Sequence, residues 1–152
     1  METQEFKRLL VAVDGSDDAT RAARVAISLA KKFGSELIIC HVIPTPIYSS
    51  PEVGTSNLAN ALSGYFDVAR KDAKNMVDQV LGLAESGGVR ATGVVREKVF
   101  SIVEAIVSLA EARNVDLIVI GTRGQSGFKK RLMGSVSSGV LSHAHCPVLV
   151  VR

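Results

Sequence analysis

Five short apolar runs, each followed by a stretch of helical periodicity or by the end of the pattern, leave this chain few ways to fold. The runs are Leu9 to Val13, Leu37 to Val42, Ala91 to Glu97, Asp116 to Ile120 and Val148 to Val151. Most are apolar throughout instead of alternating, which is the pattern of strands covered on both faces. Strict strand–helix alternation predicts an α/β fold with a parallel sheet. Right-handed crossovers then give an open, doubly wound, five-stranded sheet with helices on both faces, since a closed barrel needs about eight units. The run Ala91 to Glu97 is the least apolar, which places it near a sheet edge. Pro147 precedes the last run, where a missing N–H is tolerated at a strand's first residue.

The helical stretches carry their own punctuation. Ala19, Ala22, Ala23, Ala26, Ile27 and Ala30 form one face, with Asp17 and Asp18 at its start and Lys31 and Lys32 at its end. Both signs complement the helix dipole, and Gly34 supplies the stop. A second helix is expected from Leu58 to Glu85, ended by Gly87-Gly88. Ser101-Ile102-Val103-Glu104 matches a capping box opening a helix through Ala112. The last helix is expected from Val136 to Ala144. The loop from Pro44 to Asn57 is long for a strand-to-helix connection and is expected to be a lid or a mobile segment.

Composition excludes several functions. A net charge of +3 is too small to argue for nucleic acid. No run approaches the eighteen or so apolar residues of a membrane span, and the opening METQEFKRLL lacks a signal peptide's apolar core. Cys40 and Cys146 show neither CxxC spacing nor a disulfide framework, and Cys40 reads as a buried thiol. The expectation is a single cytoplasmic domain over residues 1–152 with no membrane or nucleic-acid partner.

Chemistry concentrates in Gly121 to Ser137, GTRGQSGFKKRLMGSVS, between the fourth strand and the last helix. A glycine-rich basic loop entering a helix N-terminus suits an anion, because amide N–H groups and the helix dipole converge there. The loop is neither a Walker A sequence nor a GxGxxG dinucleotide fingerprint. Its spacing is Gly121-x2-Gly124-x9-Gly134-Ser135. Gly121 lets the backbone leave the strand sharply with room for a sugar, and Gly124 bares its N–H. Gly134-Ser135 opens the helix, and Ser137 adds a hydroxyl in the first turn. A connection that binds nothing is the alternative. Asp14, after the first strand, faces this loop if the first and fourth strands are neighbours; the alternative is a turn or helix-capping carboxylate, since Asp14-Gly15-Ser16 is ordinary turn chemistry. His143, His145 and Cys146 fail as a metal site, since an i, i+2 pair does not share a helix face. His41 reads as structural, near the edge of the site. Lys129, Lys130 and Arg131 read as a solvated basic surface.

The chain resembles the universal stress protein family in its nucleotide-binding branch. That branch's signature, G-x2-G-x9-G followed by Ser or Thr, is matched by Gly121, Gly124, Gly134 and Ser135, and the likeness runs from LLVAVDGSDDATRAARVAISLAKKFGSELIICHV to the close, GSVSSGVLSHAHCPVLVVR. The resemblance implies a Rossmann-like, adenine nucleotide alpha hydrolase-like fold and an ATP site, with Mg²⁺ as companion ion. Ala12, Val13 and Asp14 would line it after the first strand, and Val42 would meet adenine through its backbone. Gly121, Arg123 and Gly124 would pass the ribose and first phosphates, while Gly134, Ser135, Val136 and Ser137 would cradle the rest. It also implies a homodimer through Val148, Leu149, Val150 and Val151. Arg123 departs from the family, where histidine is common, and leaves the contact geometry open.

Three functions follow from this reading: an ATP-binding regulatory protein in which occupancy modulates dimer or lid conformation, a slow ATPase or phosphotransferase, and a dimeric interaction protein without nucleotide. Hydrolysis needs a positioned water with a base or metal cluster. Asp14 is the one strong carboxylate candidate, so no catalytic residues and no protein metal site are assigned and binding is preferred to catalysis.

Overall fold

The computed structural model describes residues 5–46, 55–123 and 133–152. In chain order the elements are β1 (Arg8–Ala12), α1 (Asp17–Phe33), β2 (Glu36–Pro44), α2 (Thr55–Ser86), β3 (Ala91–Val99), α3 (Ile102–Ala112), β4 (Leu117–Gly121), α4 (Ser135–His143) and β5 (Val148–Val151). All strand pairs are parallel, and the sheet order is β3-β2-β1-β4-β5. The chain therefore winds outward from β1 to β3, then returns to lay β4 on the other side of β1. That reversal opens a crevice beyond the C-terminal ends of β1 and β4.

Period-two alternation sorts each central strand between two layers. Leu9, Val11, Leu37, Ile39 and Val119 face α1 and α2. Leu10, Ile38, Cys40, Ile118 and Ile120 face α3 and α4. Each such side chain, fully covered, contributes roughly 1.5–3 kcal/mol of transfer free energy. Ala22, Ala23, Ala26 and Ala30 are all buried, so the small face of α1 packs its backbone close to the sheet.

Gly34 and Ser101 set helix ends as expected, and Ser16 adds an N-cap that the sequence reading did not single out. The Ser16 side chain accepts from the Ala19 amide at 3.2 Å, and Gly34 closes α1 in the left-handed conformation at φ 68°, its amide bonded to the Ala30 carbonyl. Ser101 accepts from the Glu104 amide in the same way. β3 lies at an edge, as its weaker apolar character implies.

Most boundaries shift by a residue or two from the sequence reading, and three of the differences have a visible cause or consequence. β1 ends at Ala12, because the Val13 carbonyl is taken by the His41 ring and Gly15, at φ 82°, turns the chain away. β3 runs on to Val99 through a register shift opposite Val42 and Pro44, where Lys98 takes φ 58°. α2 begins at Thr55, shortening the expected loop; its residues 47–54 lie outside the described residues. The base of that loop is held, since Ile43, Phe66 and Ala73 form a small apolar cluster and the Tyr65 hydroxyl donates to the Pro44 carbonyl at 3.1 Å.

Candidate functional site

At the C-terminal edge of the sheet, three strands stop at different heights. The Val13 amide still donates to the Cys40 carbonyl at 2.8 Å. The Val13 carbonyl lies 2.7 Å from His41 Nδ1. A carbonyl can only accept, so that ring nitrogen carries the proton. Because Cys40 bonds to the β1 side, Val42, two residues on, turns its N–H and C=O to the same side. β1 has already ended there, so the Val42 main chain faces the crevice. Asp14 lies at its rim, and its Oδ1 accepts the Ser16 amide at 2.9 Å. The turn role and the lining role thus coexist in one carboxylate.

On the other side, β4 delivers Gly121, Thr122 and Arg123. A Cβ at Gly121 would stand 2.8 Å from the carbonyl carbon of Asp18 and 2.9 Å from its oxygen. The glycine is therefore needed for the close approach of α1, where the sequence reading reserves room for a sugar. Thr122 ties three elements together. Its amide and hydroxyl both donate to the Val151 carbonyl, at 2.9 and 2.8 Å. Its own carbonyl accepts the Gly134 amide and the Ser137 hydroxyl, both at 2.7 Å. These bonds close the neck of the segment between Arg123 and Gly134.

Gly134 is the N-cap of α4, at φ −66° and ψ 160°, and brings no side-chain cap. The first-turn amides of Ser135, Val136 and Ser137 have no acceptor within the helix, and they carry the positive end of its dipole. The Ser137 hydroxyl is not offered to a ligand as expected: the side chain is buried, and its proton goes to Thr122 or, at 3.0 Å, to the Gly134 carbonyl. Its contribution is a main-chain amide.

These groups surround a cavity of about 250 Å³. Cys40, Val42, Ile102, Ile106, Ile120 and Val136 give it apolar walls, and Asp14, Arg123 and Ser135 give it polar ones. Burial pushes the Cys40 thiol up to about 12, against a smaller opposing pull from Arg96, so this wall is an inert thiol. The structure brings Ala12, Val13, Asp14, Val42, Gly121, Arg123, Gly134, Ser135, Val136 and Ser137 to one cavity. Gly124 lies outside the described residues, as do Lys129, Lys130 and Arg131. Sequence reasoning missed Thr122, an unconstrained position in the glycine spacing, and Asp18, which reads as a dipole partner. It also missed the α3 wall, whose only signal was the apolar start of that helix. His143 bonds the Gly139 carbonyl one turn back at 2.9 Å, a helix-end contact.

An apolar slot flanked by a free strand edge and a helix N-terminus suits a flat heterocycle joined to an anion. Among known proteins, the chain is similar to several universal stress proteins. A universal stress protein of Methanocaldococcus jannaschii is 34% identical over 148 residues, covering 97% of this chain and 82% of that protein. The solved structure of the universal stress protein UspA from Lactobacillus plantarum superposes with a TM-score of 0.86 at 26% identity, covering 99% of this chain and all of the other. A universal stress protein solved in complex with cAMP has a TM-score of 0.67 at 26% identity, covering 97% and 98% of the two chains. The description of the universal stress protein family matches residues 5–152, and the chain belongs to that family.

Proposed function

We propose that this protein binds an adenine nucleotide, ATP with Mg²⁺, and acts as a regulatory protein whose conformation follows occupancy. The observation that carries the reading is the pairing of β1 with β4. It sets the Val42 main chain, a donor and an acceptor for an adenine edge, across an apolar slot from the uncapped amides of α4. Val13 and Ala12 form the near wall; Gly121, Arg123 and Gly124 pass the ribose and first phosphates; Ser135, Val136 and Ser137 offer amides to the remainder. The cAMP complex of a relative supports the same ligand class. Asp14 is the carboxylate placed to hold a metal-bound water or a ribose hydroxyl, and the ion would neutralise phosphate charge. Among the described lining residues Asp14 is the one carboxylate, with no second carboxylate beside it to position a water, which favours binding over hydrolysis.

The proposal extends to assembly and setting. β5 is an edge strand with no outer strand neighbour among the described residues, and a second copy would pair with it through Val148, Leu149, Val150 and Val151. Residues 1–152 act as one unit. Among the described residues no helix is long and apolar enough to cross a membrane. Both cysteines are free, which accords with a reducing cytoplasm.

Calorimetry with ATP, ADP, AMP and cAMP, each with and without Mg²⁺, tests the reading. Saturable heat at one site is expected, with turnover of ATP slow or nil. No heat with any of the four overturns it, and rapid multiple turnover abolished by Asp14→Ala shifts the function to catalysis.

A further inference from the structure

Asp18 is a charged side chain with 7% exposure in the first turn of α1. One carboxylate oxygen pairs with Arg21, a turn later on the same helix. The other, Oδ2, accepts the main-chain N–H of Arg123 at 3.2 Å and lies 3.6 Å from Nε of that residue. The first is a hydrogen bond; the second, at that length, is Coulombic attraction alone. The terminal amino groups of Arg123 have no protein partner among the described residues, and the side chain lines the cavity at 25% exposure. Gly121 makes the arrangement possible, because a Cβ there would collide with the Asp18 backbone.

We propose that Asp18 is a positioning residue for phosphate recognition: it holds Arg123 by its amide and Nε, so that the unclaimed end of the guanidinium meets phosphate oxygens. Two points carry this. A guanidinium whose Nε edge is drawn toward Asp18 by charge, with its main chain held by the amide bond, keeps its terminal amino groups for a planar, two-pronged contact with an oxyanion. Arg21 already balances the Asp18 carboxylate, so the triad retains one positive charge and Arg123 is not cancelled before a ligand arrives. The site therefore discriminates by phosphate: Asp18 acts on the anionic part of the ligand and leaves the nucleoside part alone. This inference rests on the adenine-nucleotide reading.

The test combines two measurements on wild type, Asp18→Asn, Asp18→Ala, Arg123→Ala and the Asp18→Asn/Arg123→Ala double variant. Calorimetry compares adenosine with ATP. Asp18→Asn and Arg123→Ala are each expected to weaken ATP by about 10- to 100-fold, the range for a hydrogen bond to a charged group, with adenosine unchanged. The double variant should lose no more than Arg123→Ala alone. Equal losses for adenosine and ATP show a merely structural role and overturn the proposal, as does ATP binding that is unchanged or tighter in Asp18→Asn. Amide hydrogen exchange in the ligand-free protein provides the second readout. The Arg123 amide should be protected in wild type and released in Asp18→Ala; fast exchange in wild type overturns the anchor whatever binds. If Asp18→Ala does not fold, Asp18→Asn, which keeps an acceptor, carries the comparison. Absence of ATP heat in wild type overturns the nucleotide reading and phosphate discrimination with it, while the anchor is still judged by exchange.

Discussion

A methyl group on Gly121 would press on main-chain atoms that cannot swing aside. Its Cβ would lie 2.8 and 2.9 Å from the Asp18 carbonyl, so either β4 or the first turn of α1 must shift. Gly121→Ala should cost about 1–3 kcal/mol, the range for overpacking, read as a lower midpoint in urea. Gly134 is less tightly bounded, its nearest neighbour being the Thr122 carbonyl at 3.1 Å, so its substitution falls more on the ligand than on the fold. Cys40 gives a second residue-scale prediction, through pH. Its thiol is raised in the folded protein from 9.0 to about 12 by burial, so the native state holds the proton more tightly than the unfolded chain. The corresponding stability is complete below pH 9 and is lost as pH rises toward 12, at a slope of at most about 1.4 kcal/mol per pH unit. Cys40→Ala should flatten that part of the stability–pH curve. If wild type and Cys40→Ala lose stability equally across this alkaline window, the thiol is not shielded from water in the native state.

Between elements, α3 and α4 fit closely enough to leave no room for a methyl group. A Cβ at Gly139 would stand 2.6 Å from a methyl of Val103, a short branched side chain with little freedom to move. Gly139→Ala should therefore push α4 away from α3 and cost about 1–3 kcal/mol in denaturant. It should also weaken nucleotide binding, since the amides of Ser135 and Val136 move with the helix; loss of stability with full affinity would show that α4 does not carry the site. Most elements were legible in the sequence because their signals are local. Ser16, Gly34 and Ser101 act within a few residues, and the apolar runs show burial whatever the strand order. The order itself was not legible: nothing in Leu9 to Val11 says that its second neighbour is Leu117 to Val119. The site was half legible for the same reason. The glycine spacing named Gly121, Gly134 and Ser135, but Asp18 meets Arg123 across 105 positions, and Thr122 and Ser137 take their roles only from tertiary bonds.

At the scale of the whole molecule, the open edge of β5 is the place to test assembly. Leu149 is the exposed large apolar residue of this strand, its neighbours Val148, Val150 and Val151 being partly covered. Leu149→Lys should convert a dimer into a monomer in sedimentation equilibrium with the fold unchanged by circular dichroism, because a charged edge strand resists pairing. A protein that stays as associated after the change as before it would move the interface elsewhere. The sheet order has a further consequence, one of timing. β1 is made first and is apolar at Leu9, Leu10 and Val11, yet its flank toward β4 stays bare until the chain has delivered Gly121. On the ribosome the centre of the sheet is thus an exposed edge for most of translation, the state in which chains stick to one another or need a chaperone. A fragment of residues 1–112 should accordingly aggregate and bind no nucleotide, whereas the full chain stays monodisperse; a soluble, monomeric fragment would argue that α1 and α2 shield β1 unaided. Since the same late strand closes the sheet and builds the crevice, a bound nucleotide would mark only chains whose folding is finished.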